Sequence, residues 1–510
     1  KNWLNYVAIE RYPLSFQDIS KVLKKYKEIG LYSKKLLENY PLNCKGIHRV
    51  EFIKEKVSLS IYFGEVADSL KDLNEKNNSF DAIFHDGFSP KKNVDMWSQS
   101  VFKSLFRLSN EETSYSTFSS SKHVAEKLGN NGFEVNRIKG FDNKRHMIIA
   151  KSKSKKNLYK LKDKKSIAIV GAGIAGSVLA KKLYDKGHKV TIFEKDSKFN
   201  NGPSSFETLI LYPRLSAFDS SYSLFCLHSY LYATKFYDSL NSPYWKKTGV
   251  LLLDYDKTTK KRFNELESSR NDRKIFKRVN KKEASELSGI DLKQGGLFFK
   301  EAGWINPKKL IRDIFTDNSF NLVTEEVVKV SKNKVFSINN TYSFDRVCLC
   351  NSFEYEKLID LKGLSKKRGQ VTYIKKELGL QNLKIPICGQ GYVSPSSENS
   401  LIVGSTYSNN YKNKRNLKED EENLMKLKKI IDEDAQVISS NFGYRSTTPD
   451  HLPILGNFED IFLNIGHGSR GSISAPISAQ FIADLIDGSP PIFGQKLISS
   501  LDPNRFMKKS

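Results

Sequence analysis

Long apolar runs and targeting features are missing from this sequence. No stretch of its 510 residues approaches the ~18 consecutive apolar residues that a membrane-spanning helix needs. The opening segment, KNWLNYVAIERYPLS, lacks the apolar core of a secretory signal. We therefore expect a soluble protein of the cytoplasm with no membrane association.

Cysteine is scarce, and its spacing does not match the common metal sites. The chain has five cysteines, an odd number. They are Cys44, Cys226, Cys348, Cys350 and Cys388. Cys348 and Cys350 lie on one apolar strand pattern and not in a ligand motif. We interpret all five as buried thiols in a reducing compartment, and we expect no metal site.

Acidic residues are too few to balance the basic ones. The 83 lysines and arginines against 57 acidic residues give a formal net charge of +26 at pH 7. An excess of this size indicates a polyanionic partner, with nucleic acid first and a membrane surface second. The alternative is compositional drift, because abundant Lys, Asn, Phe, Tyr and Ile are typical of AT-rich coding. A nucleic-acid partner predicts an affinity that falls steeply with rising salt.

The length allows two or three globular domains with large cores, since 39% of the residues are hydrophobic and 12% aromatic. A lysine-rich stretch divides the chain. Residues 151–165, KSKSKKNLYKLKDKK, hold eight lysines and one aspartate. We interpret this stretch as a basic linker between one domain at 1–150 and a second at 166–510.

Residues 166–196, SIAIVGAGIAGSVLAKKLYDKGHKVTIFEKD, have the pattern of a dinucleotide-binding unit. The pattern predicts a strand at 167–170, a helix at 174–186 and a second strand at 189–194. The turn between the first strand and the helix has the spacing GxGxxG. This order of strand, glycine turn, helix and strand is the context that makes such a motif specific.

Three glycines and one acid of this unit have distinct expected roles. Gly171 makes the tight turn, Gly173 lets backbone approach a pyrophosphate, and Gly176 lets helix and strand pack closely. The pyrophosphate binds at the helix N-terminus, where free N–H groups favour an anion. Glu194 is placed to accept hydrogen bonds from ribose hydroxyls. These residues leave FAD and NAD both open.

The first half carries acidic residues where α/β folds bind ligands. LNYVAIERYPLS predicts a strand that ends at Glu10. A strand at 57–63 leads to Glu65, and one at 82–84 leads to Asp86. Ligands of open α/β sheets bind outside the carboxyl ends of the strands, which places Asp86 for chemistry. The alternative is that Asp86 only caps the next helix.

Two further features of the first half bear on its ligands. No glycine loop precedes the strand that ends at Glu10, although α/β nucleotide-binding folds place one there. Either an upstream portion is absent, or this half has lost its cofactor loop. The segment 139–145, KGFDNKR, combines an aromatic ring with basic residues and suits base stacking with phosphate contact, or is a solvated turn.

Beyond the dinucleotide unit, the second half alternates strands and helices. Apolar runs such as KTGVLLLDYD and GGLFFKEAGWINP predict an antiparallel substrate-domain sheet. Residues 321–340 predict a strand pair, and FDRVCLCNS predicts a buried strand of the dinucleotide sheet. Near the end, GYRSTTPDHLPILG and the glycine turn IGHGSRGS precede a predicted helix.

The order of these elements and the two C-terminal motifs resembles the FAD-dependent amine and amino-acid oxidases of the glycine oxidase type. The resemblance implies that Arg445 binds a substrate carboxylate, which a permanently charged, bidentate guanidinium suits. The alternative for Arg445 is a surface ion pair. A second glycine turn is implied to lie beside the flavin. Its residues are Gly466, Gly468, Ser469, Arg470 and Gly471. We interpret His451 and His467 as packed or hydrogen-bonded histidines and not as acid/base groups.

Further blocks narrow the resemblance: FDAIFHDGFSPKKNVDMW, KGFDNKRHM, GYRSTTPDHLPILG, GHGSRGSISAP and LDPNRF. Over essentially its whole length, the chain resembles the bifunctional tRNA-modifying enzymes that finish 5-methylaminomethyl-2-thiouridine at the wobble position. This implies an α/β protein with an N-terminal, partial class I methyltransferase-like (Rossmann-like) domain. It also implies a C-terminal FAD-binding Rossmann domain interleaved with an antiparallel-sheet substrate domain.

The resemblance implies a two-step reaction on the wobble uridine of the tRNA anticodon loop. FAD-dependent oxidation removes the carboxymethyl group of carboxymethylaminomethyl uridine, and S-adenosylmethionine then methylates the aminomethyl product. FAD would contact Gly171, Gly173, Gly176, Glu194, Lys195 and the second glycine turn. S-adenosylmethionine would contact Glu10 and Glu65, and Asp86 would orient or deprotonate the amine. No obligatory protein partner is implied.

Two features depart from the family pattern. The glycine loop of the methyltransferase is missing before Glu10, so the resemblance does not extend to that part of the site. Ser204, Ser205 and Phe206 stand where a small polar segment is expected, with Phe206 in place of a polar residue. Two other functions compete with the bifunctional one: a free-standing FAD-dependent oxidase of small amino acids or secondary amines, and a non-catalytic RNA-binding protein.

Overall fold

A computed structural model describes residues 3–73, 79–140, 144–156, 164–196, 202–269, 274–397, 399–409, 411, 413–432 and 434–507. They form two compact units. The first unit comprises Lys1–Asp163 with Asp484–Ser499, and the second comprises Lys164–Ala483 with Ser500–Ser510. Within the expected linker, residues 157–163 lie outside the described residues, as does Phe141 of the basic loop.

The first unit is an α/β fold built on two sheets. Its strands are β1 Leu4–Glu10, β2 Gly46–Phe52, β3 Val57–Phe63, β4 Phe80–Phe84, β5 Ser109–Thr117, β6 Phe133–Lys139 and β7 His146–Ser152. Its helices are α1 Phe16–Leu23, α2 Gly30–Asn39, α3 Val66–Asp72, α4 Gln99–Arg107 and α5 Lys122–Asn130. One sheet has the order β1-β3-β2, and the other has the order β4-β5-β7-β6.

Both sheets of the first unit contribute to one hydrophobic core. Trp97, Phe102 and Tyr115 lie at its centre, and Tyr62 joins it from β3. β1 runs parallel to β3, and β4 runs parallel to β5. Among the described residues, β1 and β4 each pair with a single strand. The carboxyl ends of β1, β3 and β4 carry the acids that the sequence analysis singled out.

The second unit contains the dinucleotide sheet and the antiparallel sheet. Its strands are β8 Ser166–Val170, β9 Lys189–Phe193, β10 Leu209–Leu211, β11 Trp245–Lys246, β12 Val250–Leu253, β13 Lys277–Val279, β14 Gly296–Phe299, β15 Gly303–Ile305, β16 Asn321–Val323, β17 Val327–Ser331, β18 Lys334–Ser337, β19 Thr341–Ser343, β20 Arg346–Leu349, β21 Ser365–Lys375, β22 Ile387–Cys388, β23 Tyr392–Pro395, β24 Ser400–Gly404, β25 Val437–Thr447, β26 Ile454–Phe458 and β27 Ile461–Ile465.

The remaining helices are α6 Ile174–Asp185, α7 Ser221–Leu240, α8 Lys257–Ser269, α9 Lys281–Ser288, α10 Pro307–Thr316, α11 Leu417–Lys428, α12 Gly471–Asp487 and α13 Gln495–Leu501. The dinucleotide sheet has the order β16-β9-β8-β20-β27-β26 and is parallel except at β26. The antiparallel substrate sheet has the order β13-β14-β12-β22-β23-β24-β21-β25, with one parallel pair at β12 and β22. The α/β class and both predicted sheets are therefore confirmed.

The prediction of a strand pair at 321–340 was wrong in one respect. The segment forms three strands, because β16 joins the dinucleotide sheet beside β9, and only β17 and β18 form a hairpin. The apolar run of β16 is too short to distinguish these two kinds of pairing from sequence. The buried thiols were predicted correctly, since all five cysteines are buried and free.

The described residues show two further negative findings. No helix within them combines the length and the apolarity that are needed to cross a bilayer. Their His, Cys, Asp and Glu side chains form no group of three or more that could hold a metal ion.

A buried ion pair joins distant parts of the first unit. The Arg49 guanidinium donates through Nη1 and Nη2 to the two Asp484 carboxylate oxygens, at 3.0 and 3.2 Å. Its Nε donates to Ser60 Oγ at 2.9 Å. The Arg49 and Asp484 side chains are 1% and 0% exposed. The burial means that neither charge can be solvated by water if its partner is lost.

We predict that Asp484→Leu lowers the free energy of unfolding by about 3–5 kcal/mol, because it leaves the Arg49 guanidinium buried without a counter-charge. The double variant Arg49→Met/Asp484→Leu should show a much smaller decrease in the free energy of unfolding, since both charges are removed. Urea denaturation of the whole chain measures both variants. A double variant that is less stable than Asp484→Leu would contradict this account.

Candidate functional site

The glycine turn after β8 is shaped by close backbone approaches. Gly171 has φ of +101°, in the left-handed region that favours glycine. A Cβ on Gly176 would lie 1.9 Å from the Gly171 carbonyl oxygen, so no side chain fits there. Gly173 is the residue before α6, and its Cβ would meet only Ser204 Oγ, at 3.4 Å. Among the described residues, Ser204 is therefore the one side chain that closely approaches the helix N-terminus at Gly173.

Glu194 lies at the end of β9, where a ribose-binding acid is expected. One of its carboxylate oxygens accepts a hydrogen bond from the Ala172 amide at 2.9 Å, and the other accepts one from the Asp196 amide at 3.2 Å. This ties the acid to the glycine turn. Lys195 instead forms an ion pair with Glu354, on the segment after β20.

The second glycine turn brings another helix N-terminus to the same place. Gly466 and Gly468 have φ of +78° and +57°. A Cβ on Gly471, the first residue of α12, would lie 3.8 Å from Ile174 Cγ2, at the start of α6. The N-termini of α6 and α12 are therefore neighbours, and both favour anionic groups. Ser469 is exposed on the short turn that directly precedes α12.

His467 is held by its neighbours and has no free ring nitrogen. Nδ1 lies 2.8 Å from Ser474 Oγ, and Nε2 lies 3.0 Å from Asn464 Oδ1. Burial lowers the pKa of His467 to about 4, so the ring is neutral at pH 7. His467 is a hydrogen-bonded core residue, as predicted. His451 is exposed, with φ of +61°, and its ring lies 5.9 Å from that of Tyr222.

The residues around the two turns fit FAD. Asn351 follows β20, and its Cα would lie 2.9 Å from a Cβ on Gly171. The buried Asn351 Oδ1 has no hydrogen-bond partner among the described residues. A buried polar atom of this kind requires a partner, which a hydroxyl or amide of a bound dinucleotide would supply. Asn351 was not singled out from sequence, because it follows an ordinary buried strand.

Phe206 does not take the role of the polar residue that the family pattern places there. Its side chain is 3% exposed and packs with Val371, Tyr373 and Ile402. Ser204 supplies a polar contact instead, since its Oγ accepts a hydrogen bond from the Ile174 amide at 3.1 Å. The segment thus anchors the start of α6 and closes a small apolar core.

Arg445 is a buried cation that has no counter-ion among the described residues. Its side chain donates to the Thr406 carbonyl oxygen at 3.1 Å and to Ser405 Oγ at 2.7 Å, and the residue is 8% exposed. No carboxylate among the described residues lies within ion-pair distance of it. Burial lowers the pKa of Arg445. The alternative of a surface ion pair is therefore wrong, and the guanidinium suits an anionic ligand.

The strand opposite Arg445 leaves room for the guanidinium. Gly369 on β21 lies beside it, and a Cβ there would meet Arg445 Nη1 at 2.3 Å. Gly443, two residues before Arg445 on β25, closely approaches the turn at 202–206, because its Cβ would lie 3.1 Å from Pro203 N. β25 therefore links the buried guanidinium to the segment that anchors α6.

Tyrosines and a second arginine lie near this region. The Arg470 guanidinium carbon lies 5.3 Å from the centre of the Tyr212 ring, and Nη1 donates to the Tyr212 carbonyl oxygen at 3.4 Å. Burial raises the pKa of Tyr212 to about 12, so its hydroxyl stays protonated at pH 7. Burial raises the pKa of Tyr392 as well, and the positive charge of Arg445 opposes that shift.

In the first unit, Glu10 and Glu65 lie at neighbouring strand ends. The parallel pairing of β1 with β3 aligns Glu10 with Phe63, two residues before Glu65. Glu10 accepts a hydrogen bond from the Tyr12 amide at 2.8 Å, and Glu65 pairs with Arg11 at 2.7 Å. Carboxylates placed this way suit ribose hydroxyls and an adenine amino group. No glycine turn precedes Glu10 in the described part of this unit.

Asp86 is exposed just beyond β4, on a loop that the core holds in place. The Trp97 indole donates to the Phe88 carbonyl oxygen at 2.8 Å, and a Cβ on Gly87 would meet Met96 Sδ at 2.1 Å. The helix-cap alternative for Asp86 is wrong, because α4 begins at Gln99 with Ser98 as its N-cap residue. The structure thus brings Glu10 and Glu65 together and presents Asp86 to solvent.

His85 is a buried residue that the sequence analysis passed over. Its ring stacks on Trp97 with centroids 4.2 Å apart, and Nδ1 lies 2.8 Å from the Tyr115 hydroxyl. Burial lowers the pKa of His85 to about 4. Nothing in the local sequence indicated this contact, because His85 and Trp97 are twelve residues apart on either side of a loop.

Comparison with known proteins defines the class. Residues 166–485 match the family model described as FAD dependent oxidoreductase, and residues 27–153 match the model described as S-adenosyl-L-methionine-dependent methyltransferase. The protein combines these two enzyme classes, and the predicted cofactors, FAD and S-adenosylmethionine, are confirmed. The NAD alternative is excluded.

The chain belongs to the family of the tRNA 5-methylaminomethyl-2-thiouridine biosynthesis bifunctional proteins MnmC. It is 32% identical to the member from Legionella pneumophila (strain Lens), over 99% of this chain and 85% of that protein. It is 29% identical to the member from Marinomonas sp. (strain MWYL1), with the same coverage of both chains.

Solved structures show the fold of the second unit. Glycine oxidase from Geobacillus kaustophilus superposes with a TM-score of 0.59 at 18% identity, covering 68% of this chain and 99% of that one. L-proline dehydrogenase from P. horikoshii gives a TM-score of 0.56 at 19% identity, covering 68% and 98%.

We predict that Arg445→Met weakens binding of a carboxylate-bearing substrate by about 30-fold or more, because one partner of a buried charge pair contributes ~2–5 kcal/mol. The free energy of unfolding should stay equal or increase, since an uncompensated buried charge is removed. Binding is measured by substrate titration, and stability by urea denaturation.

The matched control is Arg368→Met. Arg368 is also a buried arginine, but its Nε lies 3.2 Å from a carboxylate oxygen of Glu419. This variant should lower the free energy of unfolding by about 3–5 kcal/mol, because it leaves Glu419 buried without its cation. Equal destabilisation by the two substitutions would contradict the assignment of Arg445 as a guanidinium without a counter-ion.

Proposed function

We propose that this chain modifies the wobble uridine of tRNA in two steps. The second unit removes the carboxymethyl group of carboxymethylaminomethyl(-2-thio)uridine, and the first unit methylates the resulting amine. Family membership over 99% of the chain supports this proposal. The observation that carries it is the buried Arg445 guanidinium, which has no counter-ion in the described part of the chain. Arg445 lies on the strand that also approaches the segment 202–206 at the start of α6.

The oxidative step needs a carboxylate held in a fixed place. When bound, FAD would supply the two-electron oxidation that converts the bond between the substrate's amine nitrogen and its carboxylate-bearing carbon to an imine. Water then splits the imine of the substrate into aminomethyl uridine and glyoxylate. Arg445 would hold the carboxylate through two parallel hydrogen bonds, which fixes the position of that carbon. Gly171, Gly173, Gly176, Glu194 and the second glycine turn would hold the dinucleotide.

Lys195, Ser469 and Arg470 are weaker candidates for flavin contact. Lys195 already pairs with Glu354, and Arg470 lies over the Tyr212 ring. Ser469 is exposed at the turn before α12. We propose that Ser469 and Gly468 contribute through their backbone, close to the helix N-terminus, and that Arg470 fixes Tyr212.

The methyl-transfer step needs a neutral amine. S-adenosylmethionine supplies the methyl group when bound, and Glu10 and Glu65 would hold its ribose and adenine. The exposed Asp86 carboxylate, fixed on its loop by Trp97 and Met96, would orient the amine and accept its proton. A tRNA substrate also explains the charge of +26, and we expect the protein to work in the cytoplasm without an obligatory protein partner.

The test is nucleoside analysis of undermodified tRNA treated with this chain. Without S-adenosylmethionine, we expect carboxymethylaminomethyl uridine to be replaced by aminomethyl uridine, with one glyoxylate per nucleoside. With S-adenosylmethionine, methylaminomethyl uridine should accumulate instead. Mass spectrometry distinguishes the three nucleosides.

Two other outcomes are informative. Loss of the carboxymethyl form without gain of the methylated form would show that only the second unit is active. Consumption of glycine or sarcosine with release of peroxide, while the tRNA nucleosides stay unchanged, would contradict the proposal and favour a free-standing oxidase.

We also predict a strong salt dependence for tRNA binding. Each phosphate contact releases counter-ions, so a site with 6–10 contacts should lose roughly 10³- to 10⁵-fold in affinity between ~50 and ~200 mM salt. Fluorescence anisotropy of labelled tRNA measures the slope. A flat response would indicate that the +26 charge reflects compositional drift.

A further inference from the structure

The loop between β24 and α11 borders the Arg445 site. Its sequence at 405–416, STYSNNYKNKRN, contains two tyrosines and three basic residues but no acid. Ser408 pairs with Arg368 through two backbone hydrogen bonds, at 2.9 and 3.0 Å, so the loop runs along β21. Thr406 and Ser405 of the same loop accept the hydrogen bonds of Arg445.

Two tyrosine rings of this loop face solvent. Tyr407 is 58% exposed and Tyr411 is 52% exposed. Neither side chain is therefore part of a hydrophobic core. The centre of the Tyr407 ring lies 5.9 Å from the Arg445 guanidinium carbon and 6.0 Å from Lys367 Nζ. Lys367 in turn donates to Asn409 of the loop at 2.6 Å.

Tyr411 has a second lysine and a buried ring beside it. The centre of its ring lies 5.7 Å from Lys366 Nζ and 6.5 Å from the ring of Tyr444. The Tyr444 hydroxyl donates to the Tyr411 carbonyl oxygen at 2.8 Å, which holds this part of the loop. Lys366 Nζ lies 4.0 Å from the Tyr444 ring and 4.2 Å from the Phe353 ring.

The described residues offer no carboxylate partner to the cations beside these rings. Within the described part of the chain, neither Lys366 nor Lys367 forms an ion pair, and the same holds for Arg445. Exposed aromatic rings flanked by unpaired cations are the usual means of binding single-stranded nucleic acid, with bases on the rings and phosphates on the cations.

The dimensions of the substrate agree with the distance between Tyr407 and Arg445. The carboxylate carbon of a carboxymethylaminomethyl group is four bonds, or about 5 Å, from the uracil ring. A bidentate pair adds about 4 Å to the guanidinium carbon. The base would therefore lie up to about 9 Å from that carbon, within stacking reach of a ring centred 5.9 Å from it.

We propose that Tyr407 stacks on the uracil of the substrate nucleotide while Arg445 holds its carboxylate, and that Tyr411 with Lys366 binds the adjoining unpaired nucleotide. This inference rests on the proposed function. Tyr407 is then a specificity residue, because a free amino acid offers it nothing to stack on. Lys367 contacts the backbone phosphate next to the substrate base.

The test compares three ligands of increasing size with the flavin-loaded protein. The ligands are N-ethylglycine, the carboxymethylaminomethyl uridine nucleoside, and an anticodon stem-loop that carries the same nucleoside. Tyr407→Ala should lower the affinity for the nucleoside and for the stem-loop by roughly 5- to 100-fold, and it should leave the affinity for N-ethylglycine unchanged. Tyr411→Ala should lower the affinity for the stem-loop only. Tyr407→Phe should behave as the unchanged protein, since it keeps the ring.

Binding is measured by the change in flavin absorbance, and for the stem-loop also by the fluorescence of 2-aminopurine placed 3′ to the wobble position. Tyr411→Ala should reduce the quenching of that base. The control is Tyr184→Ala. Tyr184 lies at the C-terminal end of α6, is 38% exposed and packs against Phe320. This variant should change none of the three affinities.

The outcomes separate this inference from the function on which it rests. If the unchanged protein binds and modifies the stem-loop but Tyr407→Ala does so equally well, the stacking site is refuted and the function stands. If the unchanged protein does not recognise the stem-loop at all, the proposed function fails. Equal weakening of N-ethylglycine by Tyr407→Ala would show a general disturbance of Arg445, which also refutes the inference.

Discussion

The second unit contains a buried guanidinium for which its described residues supply no counter-ion. Arg445 is held by a carbonyl oxygen and a hydroxyl, neither of which neutralises its charge. Such a charge is costly to bury, and the fold tolerates it because other interactions supply the stability. An anionic ligand would supply the counter-charge. The guanidinium is thus already held in place by the fold, as the proposed carboxylate recognition requires.

The same strand connects carboxylate recognition with the dinucleotide turn. Gly443 on β25 approaches Pro203, and Ser204 hydrogen-bonds the first amide of α6. The start of α12 lies beside the start of α6. Two helix N-termini, a glycine turn and a buried guanidinium are therefore fixed by one continuous set of contacts. Under the proposed function, a substrate carbon held by Arg445 would therefore also be held relative to the dinucleotide turn.

Much of this arrangement could be predicted from sequence because it depends on local chain geometry. The turn at Gly171 needs a positive φ, and Gly176 lies where no side chain fits. Both positions therefore require glycine, which can be recognised in the sequence. Contacts between distant segments were not predictable. Arg49 and Asp484 are 435 residues apart, and nothing near either residue indicates the other. Phe206 departed from the family pattern, and only the structure shows that it packs into a core.

The most direct test of the central claim is anaerobic reduction of the bound flavin by two forms of the same tRNA. One form carries carboxymethylaminomethyl uridine, and the other carries its methyl ester, which keeps the carbon that is oxidised and lacks only the negative charge of the carboxylate. Stopped-flow absorbance should show rapid bleaching with the first form and much slower bleaching with the second, because only the first offers Arg445 a carboxylate. Bleaching at equal rates with both forms would contradict the account.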